Sequence, residues 1–85
     1  MSRYRIVIKG RADRFIHGLG QRDKEQVLRA ISRLPESGDI KKLRGHTDLM
    51  WLRVGDYRII YTVDHGILTV FVIDIGTRQS AYDRY

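Results

Sequence analysis

The run Leu49-Met50-Trp51-Leu52-Arg53-Val54-Gly55-Asp56-Tyr57-Arg58-Ile59-Ile60-Tyr61-Thr62-Val63 decides the fold of this chain. Two β-rich segments, Leu49 to Val54 and Tyr57 to Val63, flank the pair Gly55-Asp56. A glycine beside an aspartate between such segments signals a tight hairpin, because primed turns need residues that accept positive φ. A two-residue loop sets the register: Val54 faces Tyr57, Arg53 faces Arg58, and Trp51 faces Ile60. Alternation puts Trp51 and both arginines on one side of the sheet, with Met50, Leu52 and Val54 on the other. Like charges directly opposite each other are unfavourable in a purely structural sheet. The pair makes sense if a phosphate sits between the guanidinium groups; the plainer alternative is a rim of solvated arginines.

Working outward, Asp64-His65-Gly66 breaks the chain again, and Ile67 to Ile75 reads as a last strand returning toward the Gly55-Asp56 end. Its exit at Gly76 predicts that Arg78 emerges near Arg53 and Arg58, with Tyr82 close enough to join them. On the N-terminal side, Arg3 to Lys9 reads as a first strand. The period then changes: Ala12, Phe15, Ile16 and Leu19 form one helix face. Gly20 interrupts, Val27, Leu28, Ile31 and Leu34 form a second face, and Pro35 closes it. Pro35 to Asp39 reads as a loop, Ile40 to His46 as a basic connector, and Gly76 to Tyr85 as a polar tail. The expected architecture is a single α+β domain over residues 1–85, of β-α-α-β-β-β order, with a helical hairpin packed on a mainly antiparallel twisted sheet.

Composition narrows the function classes. The chain has 85 residues, net charge +6, and 16 Lys+Arg, of which 12 are Arg. Arginine grips phosphate with a planar fork, so a polyanionic or acidic partner is expected. No apolar run approaches the length of a membrane span, and Met1-Ser2-Arg3-Tyr4 does not open a signal peptide. With no cysteine, disulfide frameworks are excluded, and a cytoplasmic location is expected. His17, His46 and His65 lack metal-ligand spacing, so neither a metal nor another cofactor is expected. There is no Gly-rich phosphate loop and no Ser-His-Asp arrangement. Lys41-Lys42-Leu43-Arg44 is a short basic run suited either to a solvated loop or to phosphate contact. Arg22, Arg29 and Arg33 fall on the second helix opposite its apolar stripe, where a solvated face is the default. Trp51 suits base stacking or simply covering the sheet.

Lys42-Leu43-Arg44-Gly45, then Leu52-Arg53-Val54-Gly55-Asp56-Tyr57-Arg58-Ile59-Ile60-Tyr61, then Val72-Ile73-Asp74-Ile75-Gly76-Thr77-Arg78 with Tyr82 beyond, resemble the signature of RelE-type toxins in the RelE/ParE superfamily. The likeness spans essentially the whole chain. It implies the toxin of a type II toxin–antitoxin pair: a metal-independent, ribosome-dependent endoribonuclease that cuts mRNA. The implied partners are a cognate acidic antitoxin, forming a toxin–antitoxin heterocomplex, and mRNA on the ribosome. Carried over by position, Arg58 and Arg78 act on the scissile phosphate and Tyr82 is the catalytic tyrosine. Arg53 matches a basic strand position of the family; Arg44, Lys41, Lys42 and Trp51, read from their own chemistry, are the further expected RNA contacts. The chain departs from the pattern at Leu49 and Trp51, which are apolar where active members often carry basic or acidic residues. Two alternatives stay open: a non-catalytic ParE-like toxin that inhibits DNA gyrase, and an RNA- or ribosome-binding module.

Overall fold

The computed structural model describes residues 4–35, 39–42, 49–77 and 79–80. Strand β1 (Arg5–Ile8) leads into helices α1 (Gly10–His17) and α2 (Gln21–Ser32). Strands β2 (Asp39–Lys42), β3 (Met50–Val54), β4 (Tyr57–Asp64) and β5 (Thr69–Thr77) follow. They form one sheet in the order β1-β5-β4-β3-β2. Only the β1–β5 pair is parallel; the other three are antiparallel. The chain therefore has the expected α+β class and helical hairpin.

The apolar periodicities explain how the layers meet. Ala12 and Ile16 of α1, and Val27 and Ile31 of α2, are buried together with Leu34. They pack on Leu52, Val54, Ile59, Tyr61, Val70, Val72 and Ile75 of the sheet. Every other residue of β3 and β4 thus faces the helices, as period-two alternation requires. Leu19 lies just past α1, where its N–H donates to the Ile16 carbonyl at 3.0 Å, and it still packs against the core. Tyr57 ties the layers at one end. Its hydroxyl donates to Asp23 Oδ2 at 2.8 Å, and its ring meets Phe15 edge-on.

Two elements differ from the sequence reading. The connector begins as a fifth strand: Ile40 pairs with Leu52, and Lys41 with Trp51. Its four residues, Asp-Ile-Lys-Lys, are too few and too polar to show a strand period. The second turn is also longer than expected. Asp64 pairs with Thr69, so the last strand begins at Thr69 rather than Ile67 and runs on to Thr77. The Asp64 carboxylate accepts from the N–H groups of Gly66 and Ile67 at 2.9 and 3.2 Å, an Asx-type turn. Leu68 completes it at φ 49°, a conformation that sequence reasoning does not expect of leucine. A register shift between Ile60 and Tyr61 then sets the facing of the rest of β5.

Candidate functional site

The Gly55-Asp56 hairpin forms as read from the sequence. Gly55 has φ +56°, and the pairs Val54–Tyr57, Arg53–Arg58 and Trp51–Ile60 are all present. On β5, Gly76 pairs with Arg58 and Thr77 with Tyr57. The last strand therefore leaves the sheet beside the same hairpin. Beyond it, the Thr77 hydroxyl and carbonyl engage Ser80 at 3.0–3.4 Å. Arg78, Tyr82 and Arg44 lie outside the described residues. Of Lys41 and Lys42, the register alone is described, opposite Trp51 and Met50.

The two arginines of the cross-strand pair have unlike surroundings. Arg53 is exposed. Arg58, expected to share a phosphate with Arg53 or, on the plainer alternative, to be solvated at a rim, is only 6% exposed. Its Nη1 donates to the Gly55 and Tyr57 carbonyls at 3.1 and 2.9 Å. Its guanidinium carbon lies 5.2 Å from the centre of the Trp51 ring, within cation–π range. Its Nε–H is buried without an acceptor. The turn backbone thus takes up Nη1 and one aromatic ring covers the guanidinium, while Nε–H stays buried without an acceptor.

Three features escaped the sequence reading. A groove of about 400 Å³ between α2 and β3 is lined by Gln26, Arg29, Ala30, Arg33, Leu52, Arg53, Val54 and Gly55. Arg29 and Arg33 therefore border the hairpin end instead of pointing away from it; their i, i+4 spacing showed the shared face but not what lay opposite. Asp74 is fully buried in β5. It forms an ion pair with Arg11 of α1 at 3.6 Å and accepts from the Ile75 N–H at 2.9 Å. An aspartate in the apolar run Val72-Ile73-Asp74-Ile75 was the available signal. Finally, the tyrosines of β4 are unsuited to accept protons. The hydrogen bond to Asp23, reinforced by burial, raises the Tyr57 hydroxyl above its usual pKa. Burial alone pushes Tyr61 up to about 12, and its hydroxyl has no partner. Among the described residues, no three His, Asp or Glu side chains gather as metal ligands would. No described helix is long and apolar enough to cross a membrane.

The same fold occurs in solved toxins. The chain is similar to the intact Escherichia coli RelBE toxin–antitoxin complex, at 31% identity and TM-score 0.74 over 87% of this chain and 95% of that one. It is similar to the isolated E. coli RelE toxin at 30% identity and TM-score 0.73, over 95% and 93% of the two chains. The RelBE2 complex of Mycobacterium tuberculosis matches at 28% identity and TM-score 0.74, over 88% and 98%. None of the curated protein sequences matches this chain. A helical hairpin on this sheet, matched to RelE chains over nearly their whole length, makes this a small toxin of the RelE/ParE superfamily. The profile of the ParE toxin of the type II toxin–antitoxin system parDE matches residues 4–82; the chain belongs to that family.

Proposed function

We propose that this toxin is a ribosome-dependent endoribonuclease, held in check by a cognate acidic antitoxin. The observation that carries the reading is the Arg53–Arg58 pair beside Gly76 and Thr77, the residues that lead directly into Arg78. The likeness to RelE chains at 28–31% identity supports the same branch.

RNA supplies its own nucleophile, the 2′-OH. Its oxygen attacks the adjacent phosphorus and loses its proton. The P–O5′ bond breaks, and the departing 5′ oxygen takes up a proton, leaving a 2′,3′-cyclic phosphate. Charge builds on the non-bridging oxygens, where guanidinium groups are most effective. We assign Arg58 and Arg78 to that charge, with Arg53 in support and Arg44, Lys41 and Lys42 along the RNA backbone. Tyr82 is assigned as proton acceptor. An ordinary tyrosine titrates near 10, so neighbouring arginines must lower it. Tyr57 and Tyr61, both raised, are not substitutes.

A second reading, a non-catalytic ParE-like inhibitor of DNA gyrase, is favoured by the family profile and by the burial of Arg58. Inducing the toxin alone and mapping mRNA 5′ ends separates the two. New ends inside reading frames are expected. Intact mRNA with inhibited gyrase supercoiling would select the second reading.

A further inference from the structure

We infer that Trp51 is a positioning residue for Arg58: it holds the guanidinium against the hairpin so that the unpaired Nε–H is the donor reserved for a substrate phosphate. This inference rests on the RNA-cleavage reading and deepens it.

Trp51 sits on β3 opposite Ile60, and Arg58 lies two residues along β4 from Ile60. The two side chains are diagonal neighbours on one face, a separation that long side chains span. The tryptophan ring offers the strongest of the aromatic faces to a cation. Here that face is occupied by Arg58 at 5.2 Å, so on this side Trp51 cannot also stack on a base. Two carbonyls fix Nη1 from the turn. Ring and turn together restrain the fork from two directions, and both belong to a rigid hairpin, the kind of support that holds a reacting group in place. A guanidinium has five N–H donors, and leaving a buried one unsatisfied is costly. The Arg58 Nε–H is such a donor. A phosphodiester oxygen supplies the missing acceptor, with the charge and geometry that arginine selects. Because the guanidinium is closed off from solvent, the phosphate reaches Nε only if the fork slides along the ring. Substrate capture is therefore written into the environment of Trp51.

That environment can be read directly, because Trp51 is the only tryptophan in the chain. The probe is a single-stranded RNA oligonucleotide with every 2′-OH methylated, which binds without being cut. Binding is followed by anisotropy of a label on the RNA, and Trp51 emission is followed in the same titration. Emission is expected to change saturably along the binding curve. Ribosome-bound mRNA cleavage is then compared in Trp51→Phe and Trp51→Leu. Phe keeps an aromatic face and should cut within about threefold of the parent rate. Leu keeps apolar cover without the π face, and should lose about thirtyfold in kcat, the worth of one desolvated cation–π contact. Its KM should stay nearly unchanged. Binding with constant emission, or equal rates for Phe and Leu, overturns the inference while leaving RNA recognition intact. Absence of binding in the anisotropy overturns the RNA reading, and the inference with it. Should Trp51→Leu fail to fold, the emission titration on the unaltered toxin still decides.

Discussion

The two ends of the β4 strand are built to different specifications. At one end, the two-residue Gly55-Asp56 turn closes β3 onto β4 with its glycine at φ +56°. The carbonyls of Gly55 and Tyr57 there hold a buried cation. At the other end, four residues separate Asp64 from Thr69. That turn is tied by its own aspartate and strained at Leu68. Its outer contact, between the Tyr4 hydroxyl and His65 Nδ1 at 2.7 Å, is exposed. The first end spends backbone acceptors on positioning an arginine. The second spends a side-chain acceptor on satisfying its own backbone. Catalytic geometry needs the former; a connection needs only the latter.

The strongest test of that contrast is Arg58→Ala. On the role proposed for Arg58, its removal should lower cleavage about 10²-fold or more, by analogy with oxyanion donors. Because Arg58 is buried and makes two hydrogen bonds, the variant should also lose roughly 1–3 kcal/mol of stability. Arg53→Ala, on an exposed side chain, should change stability by less than about 0.5 kcal/mol. Single-turnover cleavage and urea melts read both quantities. Equal stability losses for the two variants would erase the asymmetry within the pair.

How much of this was legible follows the same division. The Gly55-Asp56 hairpin could be registered residue by residue, because a two-residue loop leaves no freedom and the strands alternate cleanly. The helical faces were legible from apolar residues at helical spacing, except that Leu28, read as part of the second face, is 39% exposed and lies outside the core. The second turn was not, since no simple rule puts leucine at positive φ, and the register shift at Ile60–Tyr61 leaves no mark in composition. Strand β2 is too short to announce itself. Within the site, the sequence showed that Arg53 meets Arg58 but not that Arg58 is buried, and Arg78 lies outside the described residues. Whether a guanidinium faces water or an aromatic ring depends on the diagonal neighbour across the hairpin, and Trp51 read equally well as a stacking platform or as cover.

Between the two ends lies Tyr61, which links neither function nor turn and should register only in the alkaline limb of stability. Its hydroxyl is buried without a partner, and burial raises its pKa from 10.0 to about 12. The folded state thus favours the protonated phenol. The associated stability is fully present below about pH 10 and is lost as pH rises toward about 12, on the order of 2–3 kcal/mol in all. Tyr61→Phe should remove this part of the alkaline loss. At neutral pH it should be as stable as the parent or slightly more so, since an unpaired hydroxyl is removed. Melting temperatures at pH 7 and pH 11 check it.

The turns themselves can be set against each other. Gly55→Ala puts a Cβ at φ +56°, where L-residues pay roughly 1–2 kcal/mol. The space around it is open apart from Gln26 Nε2 at 3.9 Å, so the penalty is conformational, not steric. Distorting this turn moves the carbonyls that hold Arg58, so cleavage should fall along with stability. Asp64→Ala removes the acceptor for Gly66 and Ile67 and should cost about 1 kcal/mol, with cleavage unchanged. A drop in cleavage for Asp64→Ala comparable to that for Gly55→Ala would mean that both ends serve the site.

The smallest effect belongs to Leu68. At φ 49° its side chain pays a left-handed penalty that asparagine bears more easily, because a short polar side chain can hydrogen-bond locally. Leucine is not wholly wasted there, since it is 37% exposed and its covered part would be given up. The gain in backbone conformation and the loss of apolar contact are of similar size. Leu68→Asn should therefore stabilise by no more than about 0.5 kcal/mol, and glycine should do less well because it adds entropy to the unfolded chain. Neither should alter cleavage, since the Leu68 carbonyl accepts from the Arg5 N–H at the end of β5 remote from Thr77. A loss above 1 kcal/mol in Leu68→Asn would show that the leucine is held for its packing. The strained turn would then be part of the core, and the contrast between the two ends would narrow to the arginine alone.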